Sequence, residues 1–198
     1  MLNKYILVTG TAGFIGFHLT KFLLVNNFNI IGIDFIKGFY NDKLKYDRLK
    51  ELSKFKNFKF YKNDVFNIDK ILSIKEKKSI QAIFHLAAQP GVRLSEKYSD
   101  DYLSSNINAF TKIIHFASIN KISYFYYASS SSVYGNIEGQ SENKQGEAKS
   151  FYGLTKLLNE KIAENYSSFF DKTKFIGLRF FTVYGPYGRP DMAIYNMT

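Results

Sequence analysis

Short apolar segments of β-branched and aromatic residues alternate along this chain with longer segments of helical periodicity. The apolar segments are continuous runs, which is typical of strands in a parallel sheet that helices cover on both faces. The helical segments are long enough to be the crossovers that parallel strands need. The pattern therefore predicts a doubly wound α/β sheet with the strand order 3-2-1-4-5-6. The six predicted strands are 5–9, 29–34, 58–61, 82–86, 124–128 and 175–180, and the predicted helices are 14–26, 42–53, 67–78, 97–119 and 151–170.

The composition excludes several classes of protein. With 198 residues, 45% hydrophobic and 22% charged, the chain is close to an average globular protein, so a disordered, collagen-like or coiled-coil protein is not expected. The absence of cysteine excludes disulfide scaffolds, Cys-ligated zinc, iron–sulfur clusters and cysteine nucleophiles. Three histidines are too few to favour an all-histidine metal site, so no bound metal is predicted.

The formal net charge of +10 raises the question of a nucleic-acid partner. The lysines are dispersed, and they form no basic stripe interleaved with aromatic residues, so we expect no nucleic-acid binding. A solvated lysine-rich surface is the simplest interpretation, with mild steering of an anionic small molecule as its useful consequence. No apolar run reaches the length of a membrane span, and the N-terminus carries no cleavable signal pattern, so we expect a cytoplasmic protein without a membrane partner.

Three glycines follow the first predicted strand and open the first helix. Gly10, Gly13 and Gly16 have the spacing G-x-x-G-x-x-G. In a strand–turn–helix context, such glycines permit a tight turn, close approach of backbone N–H groups to a pyrophosphate, and close packing of helix on strand. The glycine pattern alone is weak, because glycines near the end of a strand are more often ordinary turns.

Asp34 at the end of the second strand strengthens the phosphate-binding interpretation. A carboxylate at this place accepts hydrogen bonds from the adenosine ribose hydroxyls and repels a 2′-phosphate. Phe35 follows it instead of an arginine, so NAD is favoured over NADP, and Lys37 is the one residue that argues the other way.

A second group of polar residues lies late in the chain. A serine run, residues 129–132, ends the fifth strand, and Tyr152 and Lys156 lie at i and i+4 on the next helix, hence on one face. A free phenol has a pKa of about 10 and is a poor base at neutral pH, but an adjacent ammonium stabilises the phenolate. Tyr152 is therefore a candidate proton acceptor. Taken alone, a Tyr-x-x-x-Lys pair is more often an ordinary turn of a surface helix.

Together these motifs resemble the extended short-chain dehydrogenases/reductases of the nucleotide-sugar epimerase and dehydratase group. More narrowly, the chain is similar to the UDP-glucuronate 4-epimerases of capsule and lipopolysaccharide synthesis. Pro90 departs from the pattern, where a small residue other than proline is usual. The matching stretches are Ile6–Gly16, His85–Arg93, Tyr127–Gly135, Tyr152 with Lys156, and Leu178–Met192.

The resemblance implies roles for individual residues. For Asp64 and Val65, a plain loop after a strand is the other interpretation, and for Arg93 and Arg189 it is a surface guanidinium. The implied catalytic residues are Ser130, Tyr152 and Lys156. The residues implied to bind NAD are Gly10, Gly13, Phe14, Ile15, Gly16, Asp34, Asp64, Val65, Leu86, Ala87, Ala88, Tyr152 and Lys156. The residues implied to face the sugar nucleotide are Gln89, Arg93, Ser129, Ser130, Ser131, Thr182 and Arg189.

The implied reaction is the conversion of UDP-glucuronate to UDP-galacturonate through a 4-keto intermediate and transient NADH. UDP-glucuronate decarboxylases and dTDP-glucose 4,6-dehydratases carry an acidic residue beside the catalytic serine. Here Ser131, Ser132 and Val133 follow Ser130, which favours an epimerase. A UDP-hexose 4-epimerase remains open, as does an inactive NAD-binding domain.

The resemblance also predicts the organisation of the chain. Residues 1–180 are expected to form an NAD-binding Rossmann domain, and residues 181–198 the start of a substrate-binding region whose remainder is missing. We expect a homodimer formed through the helices at 97–119 and 151–170. We further expect the 198-residue chain to bind NAD, to epimerise UDP-glucuronate poorly, and to expose apolar surface near residues 175–187.

Overall fold

The computed structural model of the chain describes residues 4–36, 42–136, 140–144 and 146–190. Its strands form one six-stranded sheet in the order β3-β2-β1-β4-β5-β6. Parallel pairing joins β1 to β2 and β4, β2 to β3, and β5 to β6. The predicted fold class and strand order are therefore confirmed. The strands are β1 (Tyr5–Thr9), β2 (Asn29–Asp34), β3 (Phe58–Lys62), β4 (Ile80–His85), β5 (Tyr124–Ser130) and β6 (Lys174–Phe180).

The connections between the strands are helical. Their α-helices are α1 (Phe14–Val25), α2 (Lys43–Leu52), α3 (Ile68–Ile71), α4 (Ile74–Ser79), α5 (Ser99–Tyr102), α6 (Ala109–Ile119) and α7 (Phe151–Phe169). Short 3-10 turns cover Val65–Asn67 and Ser131–Tyr134, and a π-helical segment, Leu103–Asn108, joins α5 to α6. No helix of the described ranges is long and apolar enough to cross a membrane.

Two predicted helices are interrupted in the structure. The helix predicted over 67–78 is divided between α3 and α4, because Ser73 starts a new helix with a capping box in which it exchanges hydrogen bonds with Glu76. The helix predicted over 97–119 contains the π segment, which side-chain periodicity does not reveal. The prediction of single, uninterrupted helices was wrong at these two places.

The chain divides into two compact units. The first unit comprises residues 1–87 and 182–198, and the second comprises residues 88–181. In the first unit, the buried positions of β1 and β2 are consecutive and not alternating, as both faces of the parallel sheet are covered. Residues of this core are Ile6, Val8, Phe17, Leu23, Leu24, Ile30, Leu52 and Ala82.

The second unit has an aromatic core between β5 and α6. The Phe110 ring meets the rings of Phe125 and Tyr127 edge to face, with centroids 6.0 and 5.3 Å apart. Such packing holds β5 against α6. Other fully buried residues of this core are Ile113, Ile114, Phe116 and Val133.

Candidate functional site

The turn after β1 is built around positions that only glycine can occupy. Gly10 has φ +72°, and a Cβ there would lie 2.7 Å from the Ala87 nitrogen. A Cβ on Gly16 would overlap the Gly10 carbonyl oxygen. The Gly13 N–H donates to that same oxygen at 2.9 Å, which closes the turn. The turn is therefore compact, with backbone and not side chains at its surface.

Helix α1 begins directly after this turn. Gly13 is its N-cap and offers no side-chain hydrogen bond, and the first turn contains no acidic residue. The first N–H groups of α1 therefore have no capping side chain, and the positive end of the helix dipole lies at the turn. An anionic group such as a pyrophosphate fits this arrangement.

The Asp34 carboxylate is buried and tied to the turn. Its Oδ2 accepts from the Ala12 N–H at 3.0 Å, and its Oδ1 accepts from the Ile36 N–H at 2.8 Å. Lys45, which is also buried, places its Nζ 3.8 Å from Oδ1. A carboxylate can accept about four hydrogen bonds, so two backbone bonds leave capacity for ligand hydroxyls. Lys37 lies outside the described residues.

The other predicted cofactor residues of the first unit lie at the ends of β3 and β4 and in α1. Asp64 caps the 3-10 turn by accepting from the Phe66 N–H at 2.8 Å, and Val65 is buried behind it. The Leu86 N–H donates to the Thr9 carbonyl and the Ala87 N–H to the Thr9 hydroxyl, so the end of β4 lies beside the end of β1. Phe14 and Ile15 form the first turn of α1, and Ala88 begins the second unit.

The three predicted catalytic residues all belong to the second unit. Ser130 is the last residue of β5 and is buried, and its Oγ accepts from the Ser132 N–H at 3.2 Å. Ser150 caps α7 by accepting from the Gly153 N–H at 3.0 Å. This cap starts the helix one residue before Tyr152, which is half-buried.

Lys156 lies one turn further along α7. Its Nζ is 5.8 Å from the centre of the Tyr152 ring and donates to the Ala128 carbonyl oxygen at 2.9 Å. The side chain is almost completely buried, and this burial lowers the pKa of Lys156 to about 8. The group is thus still a cation at neutral pH, and a desolvated cation favours the ionised form of a nearby phenol.

Two residues that the sequence interpretation missed hold the segment after β4 against α7. Asn106 in the π segment bonds both backbone groups of Gln89 and donates to the Thr155 hydroxyl at 3.1 Å. The Tyr102 hydroxyl donates to the carbonyl oxygens of residues 90 and 91, and its ring centre is 6.2 Å from that of Tyr152. No sequence signal separates Asn106 from Asn108, because only the π geometry selects the buried one.

Ser129 is engaged elsewhere. Its hydroxyl donates to Glu160 at 2.5 Å, and the Glu160 carboxylate also accepts two bonds of 2.9 Å from the Arg179 guanidinium. Arg179 in turn donates to the carbonyl oxygens of Glu142 and Lys144. The Ser129 hydroxyl therefore belongs to an ion-pair cluster, and its substrate role stays a prediction.

The remaining predicted substrate residues are spread over both units. Gln89 is half-buried, Arg93 is exposed, and Ser131 starts the 3-10 turn after β5, all in the second unit. Thr182 is exposed and Arg189 is half-buried, both in the first unit. Their roles also stay predictions, and residues 191–198, which end the last matching stretch, lie outside the described residues.

No cluster of three or more His, Asp or Glu side chains that could hold a metal ion occurs in the described part of the chain. In the second unit, a phenol beside an ammonium and a buried serine hydroxyl suit proton transfer at a hydroxyl group. In the first unit, a glycine turn with a buried carboxylate suits dinucleotide binding.

Comparison with known proteins agrees with this chemistry. The model of the NAD dependent epimerase/dehydratase family matches residues 6–197. An uncharacterized protein of Methanocaldococcus jannaschii is 44% identical over 201 residues, which cover 99% of this chain and 61% of that protein. The UDP-glucuronate 4-epimerase of Thermodesulfobacterium geofontis is 39% identical over 197 residues, which cover 97% of this chain and 60% of that enzyme.

A solved structure is also similar to this chain, again over about 60% of its own length. The UDP-glucuronic acid 4-epimerase of Bacillus cereus, in complex with UDP-glucuronic acid and NAD, superposes with a TM-score of 0.89 at 38% identity. The match covers 96% of this chain and 60% of that protein. The chain thus spans about three fifths of the length of these three relatives.

Proposed function

Because this chain belongs to the NAD dependent epimerase/dehydratase family, we propose that it binds NAD and carries the proton-transfer residues of a UDP-glucuronate 4-epimerase. The observation that carries the proposal is the arrangement of Tyr152 and buried Lys156 on one face of α7, with the Ala128 carbonyl holding the lysine. The glycine turn with Asp34 supports the dinucleotide part of the proposal.

The residues present fit NAD. The start of α1 offers its first backbone N–H groups to the pyrophosphate, and the glycines let the turn pack closely, because a Cβ on Gly10 or Gly16 would overlap backbone atoms. The free acceptor capacity of the Asp34 carboxylate suits the two ribose hydroxyls and disfavours a 2′-phosphate. Asp64, Val65, Leu86, Ala87 and Ala88 are the further residues that we assign to this site.

In the proposed reaction, the glycine turn and Asp34 would hold NAD, which when bound would supply an acceptor for the hydride of the sugar C4 and a source for its return, so the overall conversion is redox-neutral. Tyr152 accepts the proton of the sugar 4-hydroxyl and later gives it back. Lys156 stabilises the phenolate during this exchange, and Ser130 donates a hydrogen bond to the reacting oxygen. Rotation of the 4-keto sugar between the two transfers inverts C4.

The glucuronate specificity is supported by the named relatives, and the absence of an acidic residue after Ser130 favours an epimerase over a decarboxylase or a dehydratase. We assign Gln89, Arg93, Ser131, Thr182 and Arg189 to the sugar nucleotide, and residues 181–198 to the start of the substrate-binding region. The chain spans about 60% of the length of the two named UDP-glucuronate 4-epimerases, and remote binding energy positions a reacting carbon, so we expect it to turn over more slowly than those enzymes. The alternative is a UDP-hexose 4-epimerase. Assays with UDP-glucuronate, UDP-glucose and UDP-galactose distinguish the two activities.

We further propose a homodimer formed through the helices of the second unit. The segment from α5 to α6 and helix α7 expose Leu103, Ile119, Leu154 and Leu158. Exposed apolar side chains on neighbouring helices are a common feature of helix–helix interfaces between subunits.

The deciding experiment has two stages. Calorimetric titration of the chain with NAD and NADP tests the cofactor, and we expect tighter binding of NAD. Incubation of the chain, at high concentration, with UDP-glucuronate, UDP-glucose and UDP-galactose tests the reaction, with mass spectrometry and chromatography of the products. We expect slow formation of UDP-galacturonate, its loss in Tyr152→Phe, and NAD affinity of that variant within a few-fold of the original. Unchanged turnover in Tyr152→Phe, or preferential conversion of a neutral sugar, would refute the proposal.

A further inference from the structure

Arg48 in α2 is a fully buried cation in the first unit. Its guanidinium donates to the carbonyl oxygen of Ala12 at 2.8 Å, to that of Tyr187 at 2.6 Å, and to that of Gly188 at 3.4 Å. A buried guanidinium is costly unless hydrogen bonds satisfy it, so these carbonyl groups are held firmly in place. One rigid side chain thus connects two segments that are far apart in the sequence.

The first of these segments is the glycine turn. The peptide groups on the two sides of Ala12 are both fixed, because its N–H donates to Asp34 and its carbonyl accepts from Arg48. A ligand that shifts or stiffens the turn therefore acts directly on the Arg48 guanidinium.

The second segment, residues 182–190, contains two residues that we assign to the sugar nucleotide, Thr182 and Arg189. It is fastened to α1 independently of Arg48. The His18 ring lies with Nε2 2.8 Å from the Pro186 carbonyl oxygen, and the Tyr187 ring centre is 5.0 Å from that of Phe17. His18 therefore holds the same segment through α1, where its ring also meets the Phe14 ring edge to face with the centres 5.2 Å apart, and not through the Ala12 carbonyl.

We propose that Arg48 is a positioning residue that couples NAD binding at the glycine turn to the order of residues 182–190. The inference rests on the proposed function for the NAD step alone. Arginine suits this task because its planar fork presents several donors in fixed directions, whereas one lysine ammonium on a flexible stem cannot reach both carbonyl groups in the same geometry. Because coupling is reciprocal, substrate contacts at residues 182–190 also strengthen NAD binding.

Hydrogen–deuterium exchange of the full 198-residue chain, with and without NAD, tests the coupling. The two peptides to follow cover residues 10–16 and 182–190. In the original chain we expect NAD to slow exchange in both peptides by about 5-fold or more. In Arg48→Lys we expect slowing at 10–16 only. In His18→Ala we expect faster exchange at 182–190 without ligand, yet a retained response to NAD. Lys50→Met, exposed on the same helix, is the control and should behave like the original chain.

Each outcome decides the matter. The inference is wrong if NAD slows exchange only at residues 10–16 in the original chain. It is also wrong if NAD slows exchange in both peptides of Arg48→Lys as much as in the original chain. If NAD does not bind the original chain, the proposed function fails, and the ligand-free samples then test the connection: Arg48→Lys must speed exchange in both peptides and not in one. Circular dichroism confirms that each variant is folded. If Arg48→Lys does not fold, the original chain and His18→Ala still decide, because loss of the NAD response in His18→Ala would overturn the role of Arg48.

Discussion

The side chain of Asn106 bonds both backbone groups of Gln89, accepting from its N–H at 2.7 Å and donating to its carbonyl at 3.0 Å. Such paired bonds replace the strand partner that Gln89 lacks after β4 has ended. Asn106 also donates to the Thr155 hydroxyl on α7, which in turn donates to the Tyr152 carbonyl oxygen at 2.7 Å. The segment that carries Gln89 is thereby fixed relative to the start of α7.

We expect Asn106→Ala to lower the free energy of unfolding by about 2 kcal/mol, because it leaves the partly buried N–H and carbonyl of Gln89 without partners. Urea denaturation measures the change. Asn108→Ala, an exposed position two residues along the same segment, should change it by no more than about 0.5 kcal/mol. Equal effects of the two substitutions would contradict the assigned role of Asn106.

Because of Lys156, the free energy of unfolding of the ligand-free chain should depend on pH in the alkaline range. Burial lowers its pKa from 10.5 to about 8, so the folded chain releases this proton at lower pH than the unfolded chain does. Since the unfolded state binds more protons between these values, stability should rise from pH 8 towards pH 10.5, by up to about 3 kcal/mol from this residue.

Denaturation curves at pH 7 to 10 test this dependence. Lys156→Met should be less sensitive to pH over this interval than the original chain, and Lys161→Met, exposed on the same helix, should keep the original dependence. If Lys156→Met retained the full rise, another group would be responsible.

Arg179 connects the loop before α7 to the ion pair with Glu160. We expect Arg179→Met to lower the free energy of unfolding by about 3 kcal/mol, because the mostly buried Glu160 carboxylate loses two charged donors. Hydrogen exchange should increase at residues 140–144, whose carbonyl groups lose their donor. Arg179→Lys keeps the charge but cannot donate two parallel hydrogen bonds to the Glu160 carboxylate. Its free energy of unfolding should lie between those of the original chain and Arg179→Met. Unaltered exchange in this loop would show that Arg179 does not hold it.

The Asp34 carboxylate should determine cofactor choice. We expect Asp34→Asn to weaken NAD binding about 10-fold, because a charged acceptor gives way to a neutral amide, and to narrow the preference for NAD over NADP. Calorimetric titration of both dinucleotides measures this. Asp64→Asn, in the cap of the 3-10 turn, provides a carboxylate control and should leave the NAD/NADP ratio unchanged. Tighter NADP binding by the original chain would sink the assignment of Asp34.

The proposed dimer is tested by sedimentation velocity. We expect the original chain to be dimeric and the double variant Leu154→Arg, Leu158→Arg to be monomeric, because two charges on α7 would be buried in the interface. Phe22→Arg places a charge at an exposed apolar position on α1 and should leave the dimer intact. A monomeric original chain contradicts the proposal.

The regular parts of the fold were predictable from the sequence. The predicted α1, α2 and α7 end within one residue of the observed bounds, because their apolar periodicity is continuous. The division at Ser73 was predictable too, since Ser-x-x-Glu is the signature of a capping box, but the apolar pattern runs across it. The π segment could not be predicted, because its extra residue per turn does not alter the order of polar and apolar residues.

Buried polar residues outside known motifs were the least predictable part of the candidate site. Arg48 and Lys45 belong to a lysine-rich sequence that indicates a solvated surface, yet both are buried in the first unit. Their partners are backbone carbonyl groups and a distant carboxylate, which tertiary folding alone brings near. Asp34, Tyr152 and Lys156, by contrast, stand at fixed offsets from strand ends and helix starts, and spacing reveals them.

The hydrogen bonds of Asp34 to the turn have an evolutionary consequence. A substitution that admits a 2′-phosphate by removing the carboxylate also removes the acceptor of the Ala12 and Ile36 N–H groups. A descendant of this chain that changes to NADP must therefore gain a second substitution that supplies a new acceptor at the same place. A chain with only the first substitution would have a less stable glycine turn. A change of cofactor therefore requires two coupled substitutions here and not a single one.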